Sequence, residues 1–231
     1  MDIIIIAMQN TICNKLYQSV DFFKKISYYI TIRKGVFEMR ICVYGAASPT
    51  IDPEYIRQVE IMGEEMAKRG HSLVFGGGGN GLMGAAARGV TKGGGHIIGV
   101  IPKFFEEEAV EAIYDKCDEL IMPETMRERK QIMEDNANAF IITPGGIGTY
   151  EEFFEILTLK QLCRHSKPIA VFNILNYYDG LNDVMAQATQ KNFIRENCEA
   201  LYYITDNLEK LLDYIEAPID ETLTVKQLKD G

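Results

Sequence analysis

Thr143-Pro-Gly-Gly-Ile-Gly-Thr-Tyr-Glu-Glu152 gathers three glycines, a hydroxyl and two adjacent acids within ten residues. Gly145, Gly146 and Gly148 free the backbone to approach an anion. Thr149 supplies a hydroxyl where an N-cap or a phosphate contact belongs, and acids in a first helical turn suit its positive end. The stretch reads as a phosphate cradle with carboxylates beside it. Glu151 and Glu152 stand about 100° apart on a helix, so one points into the pocket while the other caps the helix or meets solvent. Spacing leaves open which.

A second glycine loop, Phe75-Gly-Gly-Gly-Gly-Asn-Gly-Leu-Met-Gly84, comes directly after an apolar run and opens a helix. Four successive glycines let backbone approach a ligand without a Cβ in the way, and the helix start offers unpaired N–H groups to an anion. The alternative is a tight turn that packs helix on strand. Gly79, Gly81 and Gly84 satisfy GxGxxG, but the next strand ends Val100-Ile101-Pro102-Lys103 without the acid that would hold a dinucleotide ribose, which counts against NAD. Between the loops, Met126-Arg-Glu-Arg-Lys130 heads a helix. Arg127 and Lys130 share a face at a spacing of three and Arg129 points elsewhere, so spacing does not choose the functional cation. Cations at a helix start oppose its dipole, a reason to expect an anion nearby.

These stretches need a frame, and the chain from Met39 onward supplies one. Apolar runs recur at Arg40–Tyr44, Ser72–Phe75, His96–Ile101, Glu119–Met122, Ala139–Thr143, Pro168–Phe172 and Leu201–Ile204. Pro53–Arg69 carries Ile56, Val59, Met62 and Met66 at helical steps, and Phe153, Ile156 and Leu157 repeat the pattern. Unbroken apolar strands separated by helices imply a parallel sheet buried on both sides. The expected fold is α/β, a three-layer, Rossmann-like, doubly wound parallel sheet in one domain, with ligands at the carboxyl ends of the strands.

The 231 residues carry 24 basic and 33 acidic side chains, a net charge of −9, with 47% hydrophobic residues. Such a chain is neither disordered nor membrane-spanning, since the early run Ile3–Met8 falls far short of the roughly 20 residues a span needs. Its acidity excludes a nucleic-acid polymer bound over a broad surface. Cys13, Cys42, Cys117, Cys163 and Cys198 are dispersed, as are His71, His96 and His165, so neither a disulfide framework nor a metal site is indicated and a cytoplasmic location is expected. Residues 1–38 share no pattern with the rest of the chain. They lack the basic start and apolar core of a secretory signal and read as a detachable extension of uncertain status. The expected domain spans 39–217, with a tail at 218–231. The extension carries a net +2, leaving −11 for the remainder.

Gly-Gly-Asn-Gly-Leu-Met-Gly84, Met126-Arg-Glu-Arg129-Lys130 and Pro144-Gly-Gly-Ile-Gly-Thr-Tyr-Glu-Glu152 together resemble the Lonely Guy family. These are cytokinin riboside 5′-monophosphate phosphoribohydrolases, long mislabelled as lysine decarboxylases, whose markers are GGGxxGLMG, MxxRK and PGGxGTxxE. The resemblance runs from about Met39 to the region of Ile215, through Lys167-Pro-Ile-Ala-Val-Phe-Asn and Tyr177-Tyr178-Asp179-Gly180. It implies a homodimer that hydrolyses the N-glycosidic bond of N6-substituted adenosine 5′-monophosphates to free base and ribose 5-phosphate, without a cofactor. By motif position, Arg129 and Glu152 would be the catalytic pair. Gly77, Gly78, Lys130, Gly145, Gly146, Ile147, Gly148, Thr149, Tyr150, Glu151 and Thr158 would line the nucleotide site. Arg129 would grip ribose or phosphate oxygens bidentately and hold Glu152 ionised.

Three departures stand out. Gly45-Ala-Ala-Ser48 replaces the usual Cys-Gly-Ser-Ser, and Asn138 replaces an aspartate. Both are expected at the pocket edge, where they bear on base preference. The family's further substrate-contacting glutamate finds no match in Phe104–Ile121. A general AMP or purine nucleotide nucleosidase and a non-catalytic nucleotide or cofactor carrier are the rival functions. A pyridoxal-phosphate decarboxylase is disfavoured, because neither Lys130 nor Lys160 has a recognisable Schiff-base setting.

Overall fold

A computed structural model describes residues 38–107 and 111–218, with the single positions 224, 225 and 228. The expected extension, Glu38 apart, lies outside the described residues, as does most of the expected tail. Seven strands form one sheet: β1 (Arg40–Tyr44), β2 (Ser72–Phe75), β3 (Ile97–Val100), β4 (Glu119–Ile121), β5 (Ala139–Ile142), β6 (Ile169–Phe172) and β7 (Tyr203–Thr205). Their order is β4-β3-β2-β1-β5-β6-β7, and every pairing is parallel. Strand order reverses between β1 and β5, so the crevice at their carboxyl ends is where such a sheet takes ligands.

Helices cover both faces, as the unbroken apolar strands require. On one face α4 (Met126–Asn136) and α5 (Ile147–Gln161) bring Met133, Phe153, Ile156 and Leu157 onto Cys42, Tyr44, Val74, Phe140 and Ile142. The intervening strand residues, Ile41, Val43, Leu73 and Phe75 among them, are equally buried and point to the opposite face. There α1 (Pro53–Lys68) and α2 (Gly81–Gly93) press together through glycines: a Cβ on Gly63 would lie 2.4 Å from Ala86 O. Asp52 caps α1 by accepting from Glu54 N, with Pro53 in the first position. A short α3 (Lys103–Glu107) follows β3, α6 (Asp179–Gln190) follows β6, and α7 (Leu208–Glu216) closes the fold. Arg69 ties α7 to the end of α1 through Asp213 and Glu216, at 2.8 and 3.2 Å.

Strands β1 and β2 have the expected bounds, and the other five differ from the sequence expectation by one or two residues at one or both ends. One difference affects the chemistry. Helix α5 begins at Ile147 with Gly146 as its N-cap, so Thr149 is the third helical residue rather than the cap.

Candidate functional site

The loop between β5 and α5 lies at the strand-order reversal. Thr143 is held by its N–H and its hydroxyl, both donating to Tyr44 O, at 2.8 and 3.0 Å, and Ala46 N–H donates to Pro144 O at 3.1 Å. Gly145 is buried against Thr149, where a Cβ would fall 2.1 Å from the Thr149 hydroxyl. Beyond it the loop opens. Among the described residues, nothing lies within 4 Å of where a Cβ of Gly146 or Gly148 would stand, and Ile147 is 90% exposed. Tyr150 N–H is the first amide to bond back into the helix, to Gly146 O. The amides of Gly146, Ile147, Gly148 and Thr149 therefore have no partner among the described residues, and no side chain caps this helix start. Four free N–H groups at the positive end of a fifteen-residue helix form an anion cradle.

The loop after β2 is built differently. Gly76, Gly77 and Gly78 are buried, and the segment after α3 lies across them. Tyr114 N–H donates to Gly77 O, Gly79 N–H donates to Ala112 O, and Gly78 bridges Ile113. The expectation of unpaired N–H groups at the start of α2 is corrected at Leu82, whose N–H donates to Ala46 O at 2.7 Å. The missing Cβ atoms make room for side chains of the chain itself. A Cβ on Gly76 would sit 2.0 Å from Arg129 Nη2, and one on Gly78 1.9 Å from Glu111 Oε1.

Arg129 enters that room from the first turn of α4. Thr125 and Glu128 form a capping box there, so the basic helix start carries its own acid. The side chain is 6% exposed. Its Nε donates to Val100 O and its Nη2 to Gly76 O, each at 3.0 Å, and the guanidinium carbon lies 5.5 Å from the Phe105 ring centre. Two donors are thus spent on the carbonyl ends of β2 and β3. The expected bidentate grip on a ligand is not available from that Nε–Nη2 edge, and the Nη1 end of the guanidinium, which faces Met126 Sδ at 4.0 Å, points elsewhere.

Glu152 is partly buried one turn into α5, while Glu151 is exposed. No ion pair joins Arg129 to Glu152 among the described residues. Burial pushes the Glu152 carboxyl up to about 7, against the pull of the Arg129 charge and then Lys130. Arg129 acts on this acid in the expected direction, toward the ionised form, and desolvation outweighs it. Glu151 turns to Lys130, which also pairs with Glu155 at 2.6 Å. Lys130 thus locks α4 to α5 beside the cradle. Arg127 is exposed. Of the alternatives that spacing left open, Arg129 and Glu152 are the inward pair.

Glu111 escaped sequence reasoning. It lies over Gly78 with Oε1 buried and without a partner among the described residues, and burial raises its pKa against the lowering charge of Arg129. Three acids in a row precede it at Glu106–Glu108, and no periodicity distinguishes it from them. Its signals were indirect: a glycine at 78 that leaves space for it, and a family resemblance that called for a further glutamate in Phe104–Ile121 without singling one out. Thr158 is exposed six residues after Glu152, about 9 Å further along α5. Tyr150 is partly buried and meets the Tyr178 ring edge-on at 6.0 Å. Asn138 is not at the pocket edge. It accepts from Arg40 N–H at 2.8 Å at the amino end of β1, the far end of the sheet. Gly45 does lie at the crevice, against the Thr143 hydroxyl.

Residues 83–215 match the family model described as "Possible lysine decarboxylase". A cytokinin riboside 5′-monophosphate phosphoribohydrolase of Mycobacterium marinum is 38% identical over 172 residues, covering 74% of this chain and 90% of the relative. The chain belongs to the Lonely Guy family. A second family member, described as a probable cytokinin riboside 5′-monophosphate phosphoribohydrolase of Oryza sativa subsp. japonica, is 36% identical, covering 79% of this chain and 75% of its own. The molybdenum cofactor carrier protein of Chlamydomonas reinhardtii shares the Rossmann-like fold with this Lonely Guy chain at a TM-score of 0.58 and 20% identity, over 78% of this chain and 97% of the carrier. The family's older description fits the lysines poorly. Lys130 is engaged by two glutamates, and Lys160, which burial lowers to about 8, sits in the last turn of α5, away from both glycine loops.

Proposed function

We propose that the chain hydrolyses the N-glycosidic bond of adenosine 5′-monophosphates, N6-substituted ones included, to free base and ribose 5-phosphate. One observation carries this reading: a partly buried carboxyl, Glu152, stands one turn beyond four unpartnered amides at the start of α5. Phosphate on the amides of Gly146–Thr149 sets the ribose beside Glu152. As the C1′–N9 bond breaks, positive charge grows on the ribose, and a carboxylate there stabilises it and takes a proton from the attacking water. The water oxygen bonds C1′, the base leaves with the electron pair of the C1′–N9 bond, and it takes up one proton in exchange for the one Glu152 removes from water. A pKa near 7 suits a group that must exchange protons near neutral pH. Arg129, fixed beneath the ribose end, supplies positive charge that keeps Glu152 from rising further, and Glu111 faces the sugar hydroxyls from above Gly78.

No described helix is long and apolar enough to cross a membrane. Reading the enzyme as a homodimer accords with the exposed apolar side chains Ile147 and Phe154 on α5 and Val184 on α6, which a second copy would cover, and a cytoplasmic location accords with the free thiols of Cys42, Cys117 and Cys198. The deciding experiment incubates the full chain with AMP, GMP, CMP, UMP and isopentenyladenosine 5′-monophosphate and measures free base and ribose 5-phosphate. Release of adenine or isopentenyladenine with equimolar ribose 5-phosphate is the expected result, and their ratio sets the base preference. AMP bound but returned intact would overturn the reading.

A further inference from the structure

A cradle of amides works only if its peptide planes are aimed. In a planar trans peptide the C=O of one residue and the N–H of the next point in opposite directions, so whatever holds the Gly145 carbonyl also aims the Gly146 N–H. The Tyr177 hydroxyl donates to Gly145 O at 2.6 Å. Its neighbour Tyr178 donates to Thr143 O at 2.8 Å, but the residue after Thr143 is Pro144, which has no N–H to aim. Pro144 O is already held by Ala46 N–H. Among these three carbonyls of the loop, the Gly145 carbonyl is thus the one whose side-chain partner also sets the direction of a cradle amide.

The segment that delivers Tyr177 is unusual. Leu175 and Asn176 take φ of 51° and 62°, two successive non-glycine residues in the left-handed region, each at a cost of roughly 1 kcal/mol or more. Asn173 braces this turn, with its Oδ1 accepting from Tyr178 N–H at 2.6 Å and its Nδ2 donating to Asp179 at 2.8 Å. The two phenol rings stand at 88° to each other, with centres 5.0 Å apart, and Tyr55 of α1 meets Tyr177 edge-on at 6.1 Å. Tyr178 is buried, whereas Tyr177 is 40% exposed, so its hydrogen bond contributes more to the direction of the peptide than to the core.

From this geometry we infer that Tyr177 is a positioning residue: its hydroxyl turns the Gly145 carbonyl away from the crevice and so aims the Gly146 N–H at the ligand's phosphate. The inference rests on the proposed function, because it assigns Tyr177 to the phosphate half of that site. Tyr177→Phe keeps the ring and its packing and removes the hydroxyl, with its hydrogen bond to Gly145 O and its contact with Tyr150. It should raise KM for AMP and weaken binding of ribose 5-phosphate in isothermal titration about three- to tenfold. Its kcat should stay within twofold and its affinity for adenine should not change. Tyr178→Phe serves as the structural control, lowering Tm while leaving ribose 5-phosphate affinity within twofold. Unaltered ribose 5-phosphate affinity in Tyr177→Phe would overturn the inference, as would a Tm loss accompanied by equal losses for adenine and ribose 5-phosphate. If wild-type protein neither cleaves AMP nor binds ribose 5-phosphate, the functional reading fails and takes this inference with it. If wild type does both and Tyr177→Phe matches it, only the inference fails.

Discussion

The two glycine loops look alike in sequence and are used in opposite ways. After β2, the missing Cβ atoms of Gly76 and Gly78 are spaces for Arg129 and Glu111, and the loop is roofed by backbone pairing with Ala112–Tyr114. After β5, the missing Cβ atoms of Gly146 and Gly148 face open space, beside amides that are unpaired among the described residues. One loop accommodates the protein's own charged groups; the other is open, and the proposed function gives it to a ligand. Glycine richness marks a close approach of something to backbone, and only the fold tells whether that something is a side chain or a substrate.

The largest expected effect separates the acids of the two loops. Glu152→Gln removes the carboxylate from the open side, and kcat should fall by about a thousandfold, roughly 4 kcal/mol of barrier, while ribose 5-phosphate still binds. Glu111→Gln, on the closed side, should cost about tenfold, the scale of a lost substrate hydrogen bond. Steady-state release of adenine from AMP measures both, and equal losses would erase the proposed division of labour.

Gly76→Ala comes next. A methyl 2.0 Å from Arg129 Nη2 cannot coexist with the hydrogen bonds to Val100 O and Gly76 O, and the guanidinium has little room to retreat at 6% exposure. Displacing a buried charge from its partners costs about 2–4 kcal/mol. Denaturant melts should show that loss, with turnover reduced by about a hundredfold. A variant of normal stability and activity would mean that Arg129 is not fixed by this loop.

A smaller effect comes from protons. Burial lifts Glu152 from 4.5 to about 7 in the folded chain. Between those values the folded state holds a proton that the unfolded state has released, so this group makes stability fall as pH rises through that window. Glu152→Gln should therefore gain on wild type by about 1–3 kcal/mol between pH 4.5 and 7 and hold that gain above it. Glu134, also raised to about 7 by burial, is present in both proteins and cancels in the difference. In the wild type, kcat/KM for AMP should climb with pH through about 7 as the carboxylate forms. A flat difference from pH 4.5 to 8 would show that Glu152 is solvated like an ordinary surface acid.

The sheet was legible because unbroken apolar strands such as Ile41–Tyr44 and Phe140–Ile142 can only be buried on both faces. The open cradle was legible in part, since PGGIGT announces a helix start, yet its N-cap at Gly146 depends on how β5 runs out. Spacing could not choose between Arg127, Arg129 and Lys130. That choice depends on the carbonyls of Gly76 and Val100, 53 and 29 residues away from Arg129. Glu111 was hidden for the same reason, and Asn138 was misplaced because sequence adjacency to β5 does not say which end of the strand it joins.

The smallest effect tests the open loop directly. Gly148→Ala adds a methyl where nothing lies within 4 Å, at a helical position with ordinary negative φ, so the folded protein has no reason to object. Alanine is also the better helix former, and stability should be unchanged or higher by up to about 0.5–1 kcal/mol. The cost should appear only when a ligand comes close. With phosphate on the neighbouring amides, the methyl would stand in the approach, and KM for AMP should rise about three- to tenfold without loss of Tm. The same substitution at Gly76 damages the protein with or without substrate. If Gly148→Ala leaves KM untouched, the phosphate does not lie on this helix start, and the space beside Gly146 and Gly148 serves something other than the ligand.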